Sequence, residues 1–216
     1  GGTLSLAGPS VVFDIGSHTV IASDIIGNDL VKTGTGALEL SGSVSLTSGA
    51  TVSQGPLVFS GTLSGNLIVS SGASLAGGGT ASGNVNISGS LAPGSGVGTL
   101  TTGPLVLQTG SAIEWQATDW TGAAGTGSDL IAASSLDLTA AASVNLTLKE
   151  ESLANFTDNP ATFTVLQSAA AITGFDAEKF HLDVSEFPQA TGHWAVSMSG
   201  NDLVLEYTPL TPFEAW

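Results

Sequence analysis

The chain has 216 residues, of which 10% are charged, and its 18 acidic residues against only three lysines and no arginine give a net charge of −15. This balance excludes nucleic acids and anionic membrane surfaces as partners, because both need a basic footprint on the protein. The absence of cysteine excludes disulfides and thiolate chemistry, and no apolar run is long enough for a transmembrane helix.

The first segment, residues 1–8 (GGTLSLAG), is predicted to form a short β-strand whose alternation places Leu4 and Leu6 on one face. Natural proteins block an exposed strand edge with charges, prolines or a covering element. This segment contains no charged residue and no proline, so its edge is a candidate for pairing with another chain.

An internal repeat runs through the middle of the chain. Its unit begins with apolar-x-apolar and two small residues. A glycine follows, then one residue that is Ala or Ser, then one residue of any type and a final apolar residue. This pattern predicts a strand, a tight corner at the glycine and a second strand. The pivots are Gly49, Gly72, Gly89 and Gly110. The copies are VSLTSGATV (44–52), LIVSSGASL (67–75), the shorter VNISGSL (85–91), LVLQTGSAI (105–113) and a degenerate LDLTAAASV (136–144) with Ala141 at the pivot.

One repeat unit cannot bury its own apolar face, whereas stacked units share a core. The chain is therefore predicted to be all-β, with a right-handed parallel β-helix (β-solenoid) over residues 1–150. An antiparallel β-sandwich, which also has short strands and frequent turns, is the alternative. The predicted inward positions are Leu38, Leu40, Val44, Leu46, Leu67, Val69, Val85, Ile87, Leu105 and Leu107.

The last third of the chain loses the glycine pivots. Residues 151–207 are predicted to form an antiparallel β cap, in which residues 193–207 have the pattern of a hairpin with its turn at residues 199–202. Helical periodicity is nearly absent, with one exception around residues 148–156 that predicts one or two helical turns. The two prolines of residues 208–216 (TPLTPFEAW) predict a tail.

Two segments carry a family resemblance. Residues 27–42 (GNDLVKTGTGALELSG) resemble the autotransporter-associated β-strand repeat, also called the passenger-associated transport repeat. Residues 90–115 (SLAPGSGVGTLTTGPLVLQTGSAIEW) are similar to the segment that closes such passengers. The resemblance implies a β-helix with a cell-surface or extracellular address. No successive membrane strands of a C-terminal barrel are recognised, so we expect either that a barrel was removed or that the chain is a stand-alone exported relative. The matching repeat positions are Leu30, Val31, Lys32, Gly34, Gly36, Leu38, Leu40 and Gly42.

Catalysis is weakly indicated by the charged residues. Polysaccharide lyases of β-helix fold need a basic residue beside a carboxylate, and the three lysines are scattered along the sequence. Glycoside hydrolases need a positioned pair of carboxylates. The densest acidic group is predicted to be a solvated face, and it consists of Asp176, Glu178, Asp183 and Glu186.

Histidines and tryptophans give no stronger signal for chemistry. His18, His181 and His193 lack the spacing of metal ligands. Trp115 and Trp120 are predicted to pack in the core or at an interface rather than to stack on sugars. We therefore expect no enzymatic activity, no cofactor and no dedicated metal site.

Three functions follow as hypotheses. The first is an extracellular structural subunit that self-associates head-to-tail into a surface fibre or layer through its terminal segments. The second is a monomeric, passenger-like adhesin that binds glycans or surfaces, and the third is a carbohydrate-active enzyme. The residues predicted to form the self-assembly interface are Thr3, Leu4, Leu6, Leu210, Phe213 and Trp216.

Overall fold

The computed structural model describes residues 2–211 and is an all-β structure. Within these residues the helical content is a single 3-10 turn at Ala177–Lys179. The strands are β1 (Thr3–Ser5), β2 (Val11–Asp14), β3 (Thr19–Ile21), β4 (Asp24–Thr33), β5 (Leu38–Leu40), β6 (Ser43–Val52), β7 (Gly55–Phe59), β8 (Thr62–Val69), β9 (Ala73–Gly77), β10 (Thr80–Ala81), β11 (Val85–Ile87), β12 (Ser90–Pro93), β13 (Thr99–Leu107), β14 (Ser111–Asp119), β15 (Leu130–Asp137), β16 (Val144–Ala154), β17 (Ala161–Ser168), β18 (Phe180–Glu186), β19 (His193–Ser199) and β20 (Asp202–Thr208).

The strands form two sheets, between which the chain alternates. Sheet 1 has the order β1-β4-β6-β8-β10-β13-β15-β17-β20-β19, with β2 beside β4 and β11 between β8 and β13. Sheet 2 has the order β3-β5-β7-β9-β12-β14-β16-β18. Every pair from β1 to β18 is parallel, and Ile25 lies opposite Val44, which lies opposite Leu63. This parallel pairing excludes the antiparallel sandwich and is compatible with a β-solenoid.

The core lies between the two sheets and confirms the predicted alternation. All ten predicted inward residues, from Leu38 to Leu107, are at most 4% exposed. Parallel pairing places residues of the same parity above one another, so that Leu67, Val85 and Leu105 form one continuous apolar ladder. Each ladder buries side chains that a single strand pair would leave in water.

The predicted glycine corners are correct for three copies of the repeat and wrong for one. Gly72, Gly89 and Gly110 lie where the chain leaves a strand of sheet 1 for a strand of sheet 2. Gly49 instead lies inside β6, opposite Asn66, where the register between β6 and β8 shifts. A Cβ on Gly49 would lie 2.1 Å from the Asn66 carbonyl oxygen. This glycine therefore permits a bulge and close contact between strands, and it is not a corner.

The C-terminal third keeps the parallel arrangement further than the predicted boundary at residues 150 and 151, which falls inside β16. β17 and β18 still pair in parallel with β15 and β16, and antiparallel pairing begins with β20 and β19. The predicted hairpin at residues 193–207 is confirmed, with Gly200 at a φ of 64° in its turn. The predicted helical turns around residues 148–156 are wrong, because pairing with β14 and β18 holds β16 extended.

Candidate functional site

The predicted N-terminal interface lies on β1, whose observed partner is β4 alone. Thr3 is exposed and Leu4 is 39% exposed. Leu6 differs, because it is buried and its backbone N–H donates to the Ile26 carbonyl at 2.8 Å. Thr3 and Leu4 are therefore accessible for a contact, whereas Leu6 belongs to the core.

Apolar side chains also remain uncovered on β2, which shares the edge of sheet 1 with β1, and on β3, which forms the edge of sheet 2. Val12 and Val20 are 59% and 55% exposed. Val11, Phe13 and Ile21 point toward the core but are only partly buried. Their counterparts on the next strands are buried, as Leu30 and Leu40 are each 1% exposed. At this end of the two sheets, apolar side chains of the core are therefore partly exposed to solvent.

At the opposite end, β19 forms the edge of sheet 1 and β18 forms the edge of sheet 2. β19 exposes Met198 by 38% and carries no acidic residue, whereas β18 carries Asp183 and Glu186. Leu210 is half-buried. The other two predicted interface residues, Phe213 and Trp216, lie outside the described residues.

An aromatic cluster fills the core near this end. Trp120 makes ring contacts with Phe156, Phe163, Phe187, Trp194 and Tyr207 at centroid distances of 4.8 to 6.4 Å. Trp115 is fully buried and Trp120 is 5% exposed. Their predicted role in packing is confirmed, and neither ring offers a face to a sugar.

All three lysines are engaged by polar partners within the fold. Lys32 is fully buried, and its Nζ donates to the carbonyls of Gly34 at 2.8 Å, Gln54 at 2.7 Å and Thr33 at 3.3 Å. Burial lowers the pKa of Lys32, and the nearby Asp14 offsets part of that effect. Lys32 therefore joins the connection after β4 to the connection after β6, which is a structural role.

The other two lysines also have structural contacts. Lys179 donates to the carbonyls of Leu138 and Gly174 at 2.9 and 2.8 Å. Lys149 donates to Glu114 at 2.7 Å, and this hydrogen bond raises its pKa. A lysine whose pKa is raised is a poor general base at neutral pH.

The acidic residues predicted to be a solvated face do not converge on one point. Asp176 caps the 3-10 turn by accepting from the Glu178 N–H at 3.0 Å, and Asp183 accepts from the Ser185 N–H at 3.0 Å. Glu186 lies 4.0 Å from Lys149 Nζ. Within residues 2–211 no group of three or more His, Asp or Glu side chains is placed to hold a metal ion.

Sequence reasoning missed one buried carboxyl group, Asp129, which is 1% exposed. Its Oδ1 accepts from the Gly98 N–H and its Oδ2 from the Gln116 N–H, each at 2.9 Å. Burial raises its pKa to about 7, although the two N–H donors act in the opposite direction. No local pattern reveals this burial, since Asp129 follows a loop rather than a strand alternation.

Two shallow grooves lie on the surface. The larger, of about 630 Å³, runs over sheet 1 and is lined by Thr101, Thr102, Ser134, Gln167 and Asp202 among others. The Thr102 hydroxyl is buried there without a hydrogen-bond partner. The smaller, of about 380 Å³, is lined by small residues around the corner glycines. Alanines contribute to the lining of both grooves, and neither set of lining residues contains an acid–base pair.

A charge-free stretch is the second feature that sequence reasoning missed. No Asp, Glu, Lys, Arg or His occurs between Glu39 and Glu114. The strands from β6 to β13 therefore present only neutral side chains on both sheets, and the acidic residues are concentrated after them.

No protein-family model matches this chain, and no curated protein is significantly similar to it in sequence. In the part of the chain that the structure describes, no helix has the length and apolarity needed to cross a bilayer.

Proposed function

We propose that this chain is an extracellular structural protein, a right-handed parallel β-solenoid whose copies associate head-to-tail into a surface fibre or layer. The observation that carries the proposal is the presence of strand edges with one partner at both ends of a stack of parallel strands. Such edges present N–H and C=O groups to an incoming strand.

The right-handed solenoid is supported by the connections between the sheets. Between β3 and β18 the chain passes from one sheet to the other and then returns beside its own previous strand, and β10 and β11 are two successive strands of sheet 1 on one such return. Connections between parallel strands of one sheet are right-handed in about 98% of cases. A non-catalytic role is supported by the buried or paired lysines and by acidic side chains that are held apart.

Sheet 1 is the better candidate for the head-to-tail contact. One edge is formed by β1, which contains no charged residue, together with β2, which ends on Asp14. The other edge is β19, which contains no acidic residue. Sheet 2 ends instead on β18, where Asp183 and Glu186 oppose the approach of another strand. In the proposed contact, β1 of one copy pairs with β19 of the next, which propagates without closing.

An extracellular or cell-surface location is proposed on composition and on the resemblance of residues 27–42 to a passenger repeat. The outer surface is formed largely by Ser, Thr, Asn and Gly, and only 10% of the residues are charged. This composition is far from the 25% charged residues that are typical of soluble domains.

A second candidate function, the monomeric adhesin, is favoured by the groove of about 630 Å³ over sheet 1. The side chains of Ser134, Gln167 and Asp202 supply hydroxyl, amide and carboxylate groups for a polar ligand such as a glycan. A glycan array separates this role from self-association.

The test is sedimentation velocity and negative-stain microscopy of the purified chain over a range of concentrations. We expect filaments for the wild type, and no filaments for Leu4→Lys or for a variant lacking residues 210–216. Leu4→Lys places a charge on the β1 edge without altering a buried residue. Ser71→Lys, in an exposed corner, is the matched control and retains filaments. A wild-type chain that stays monomeric at high concentration would overturn the proposal.

A further inference from the structure

The outer surface of sheet 1 forms a regular neutral face on β6, β8, β10, β11 and β13. We define this neutral face by Ser43, Ser45, Thr62, Ser64, Ile68 and Thr80, which point away from the core. Pairing in register places Ser43 opposite Thr62, Thr62 opposite Thr80 and Ser45 opposite Ser64. Short side chains therefore stack in columns and leave a surface of even height.

Exposed apolar groups interrupt this hydroxyl surface. Ile68 lies between Thr51 and Asn86 in the register and is 48% exposed. Ile26, opposite Ser45 at the border of the face, is 46% exposed. Among the described residues, β5, β7, β9 and β12 of sheet 2 expose no comparable aliphatic side chain, so Ile26 and Ile68 distinguish this surface of sheet 1 from sheet 2.

We infer that the neutral face docks side by side onto the neutral face of a second copy of this chain. The inference rests on the proposed self-association and adds a lateral contact to the end-to-end one. Two copies that each carry a net charge of −15 repel one another wherever their acidic surfaces meet. Because the strands between Glu39 and Glu114 carry no acidic residue, two copies can approach one another there without bringing carboxylates together.

The chemistry of the face favours a protein partner over a glycan. Sugar recognition relies on exposed aromatic rings with charged or amide groups around them. The one aromatic residue between Glu39 and Glu114 is Phe59, which is 2% exposed and belongs to the core. A flat surface of Ser and Thr with an exposed isoleucine instead matches its own copy across a two-fold axis.

The size of the face fits a specific but weak contact. Four strand positions spaced about 4.8 Å apart, and strands of about ten residues rising about 3.3 Å each, give a face of roughly 19 by 33 Å. Two such faces bury about 1,250 Å² in total, which is just above the lower limit for a specific interface. Two filaments that lie side by side make many such contacts at once, so a contact that is weak between two single copies is sufficient to hold filaments together in a bundle.

The experiment compares two charge variants. Ile68→Glu introduces a carboxylate into the neutral face, and Val58→Glu introduces the same group at a half-buried outward position of sheet 2. A two-fold contact brings the two new carboxylates of Ile68→Glu together, so lateral association in sedimentation velocity weakens by about tenfold or more. Val58→Glu retains it. Equal effects of the two variants would overturn the inference.

A crosslinking measurement serves as a second readout that does not depend on stability. Because the chain has no cysteine, Ser64→Cys and Ser74→Cys each provide a single thiol, on sheet 1 and sheet 2 respectively. Both positions are half-buried, outward-facing serines. With a short bis-maleimide, Ser64→Cys gives covalent dimers and Ser74→Cys does not. Dimers from Ser74→Cys alone, or from neither variant, contradict the neutral face as the contact.

The outcomes separate this inference from the proposed function. Wild-type filaments that do not bundle retain the head-to-tail proposal and overturn the lateral contact. Lateral dimers that persist in the Leu4→Lys variant support the lateral contact independently of the filament. If the neutral face binds a glycan and no lateral dimer forms, the choice of a second copy as the partner is overturned.

Discussion

Asp129 allows a pH experiment whose sign is fixed by the structure. Its carboxyl group is buried, and burial raises its pKa from an ordinary 3.8 to about 7. Between these two values the unfolded chain carries an ionised carboxylate while the folded chain retains the proton. The folded state therefore binds more protons, and the free energy of unfolding decreases as the pH rises through this window.

The magnitude follows from the width of the window. Each pH unit changes the free energy of unfolding by at most about 1.4 kcal/mol for one group, so about three units give an upper bound of about 4 kcal/mol. Asp129→Asn removes the titration. The amide oxygen still accepts one of the two N–H groups, while its NH₂ faces the other, which costs about 1–3 kcal/mol independently of pH.

The assay is urea unfolding at pH 5, 6, 7 and 8, followed by tryptophan fluorescence. Trp115 is a suitable reporter, because its Nε1 donates to the Asp129 carbonyl at 2.9 Å. We expect the gap between wild type and Asp129→Asn to narrow as the pH rises. A parallel course of the two curves from pH 5 to 8 would refute the reasoning.

Asp137 provides the matched control for this experiment. It accepts from the N–H and hydroxyl of Thr139 at 2.8 and 2.7 Å, and these hydrogen bonds lower its pKa. The stabilisation by Asp137 is present above about pH 4 and is lost only as the pH falls below that value. The difference between wild type and Asp137→Asn is therefore constant from pH 5 to 8.

Two further predictions concern stability and are checked by urea unfolding at pH 7. Lys32→Met removes the donor of three hydrogen bonds to part-buried carbonyls and lowers the free energy of unfolding by about 2–5 kcal/mol. Lys149→Met, which loses a surface ion pair, lowers it by less than about 1 kcal/mol. Similar losses for the two variants would contradict a structural role for Lys32. Trp120→Ala removes the centre of the aromatic cluster and lowers the free energy of unfolding by about 3–5 kcal/mol. Phe175→Ala lowers it by less, because the Phe175 ring is only partly buried and pairs with Phe180. Equal losses for the two variants would contradict the cluster as the main packing element of that end.

The alternation of the core was predictable from sequence because it is a local property. Residues two apart on a strand share a face, so Leu38 and Leu40 are inward once the strand exists. The same rule covers Lys32, which alternates with the buried Leu30 and shares its face. Its position two residues after Leu30 therefore predicts that Lys32 is buried, although its charge alone would predict that it is exposed.

The features that sequence did not predict depend on the partner strand. Gly49 and Gly72 occur in the same letter pattern, but Gly49 is opposite Asn66 at a register shift and Gly72 is at a corner. The residues around Leu148 have a weak helical period, which pairing with two strands overrides. Local patterns carry no information on register, and so the bulge, this strand and the burial of Asp129 were missed.

Within residues 27–42, the positions of Lys32, Gly34 and Gly36 are fixed by contacts with the backbone of neighbouring strands and turns. Lys32 holds the carbonyls of Gly34 and Gln54, which lie on consecutive passages of the chain. Gly34 has a φ of 75°, and a Cβ there would lie 2.4 Å from the Ile15 carbonyl oxygen. A Cβ on Gly36 would lie 2.5 Å from the Ser17 carbonyl oxygen. Each of these positions is therefore constrained by the backbone of the neighbouring passage, and none of them is free to contact a ligand. A motif of this kind determines how passages of the chain stack, and any binding specificity must come from the outward residues between its positions.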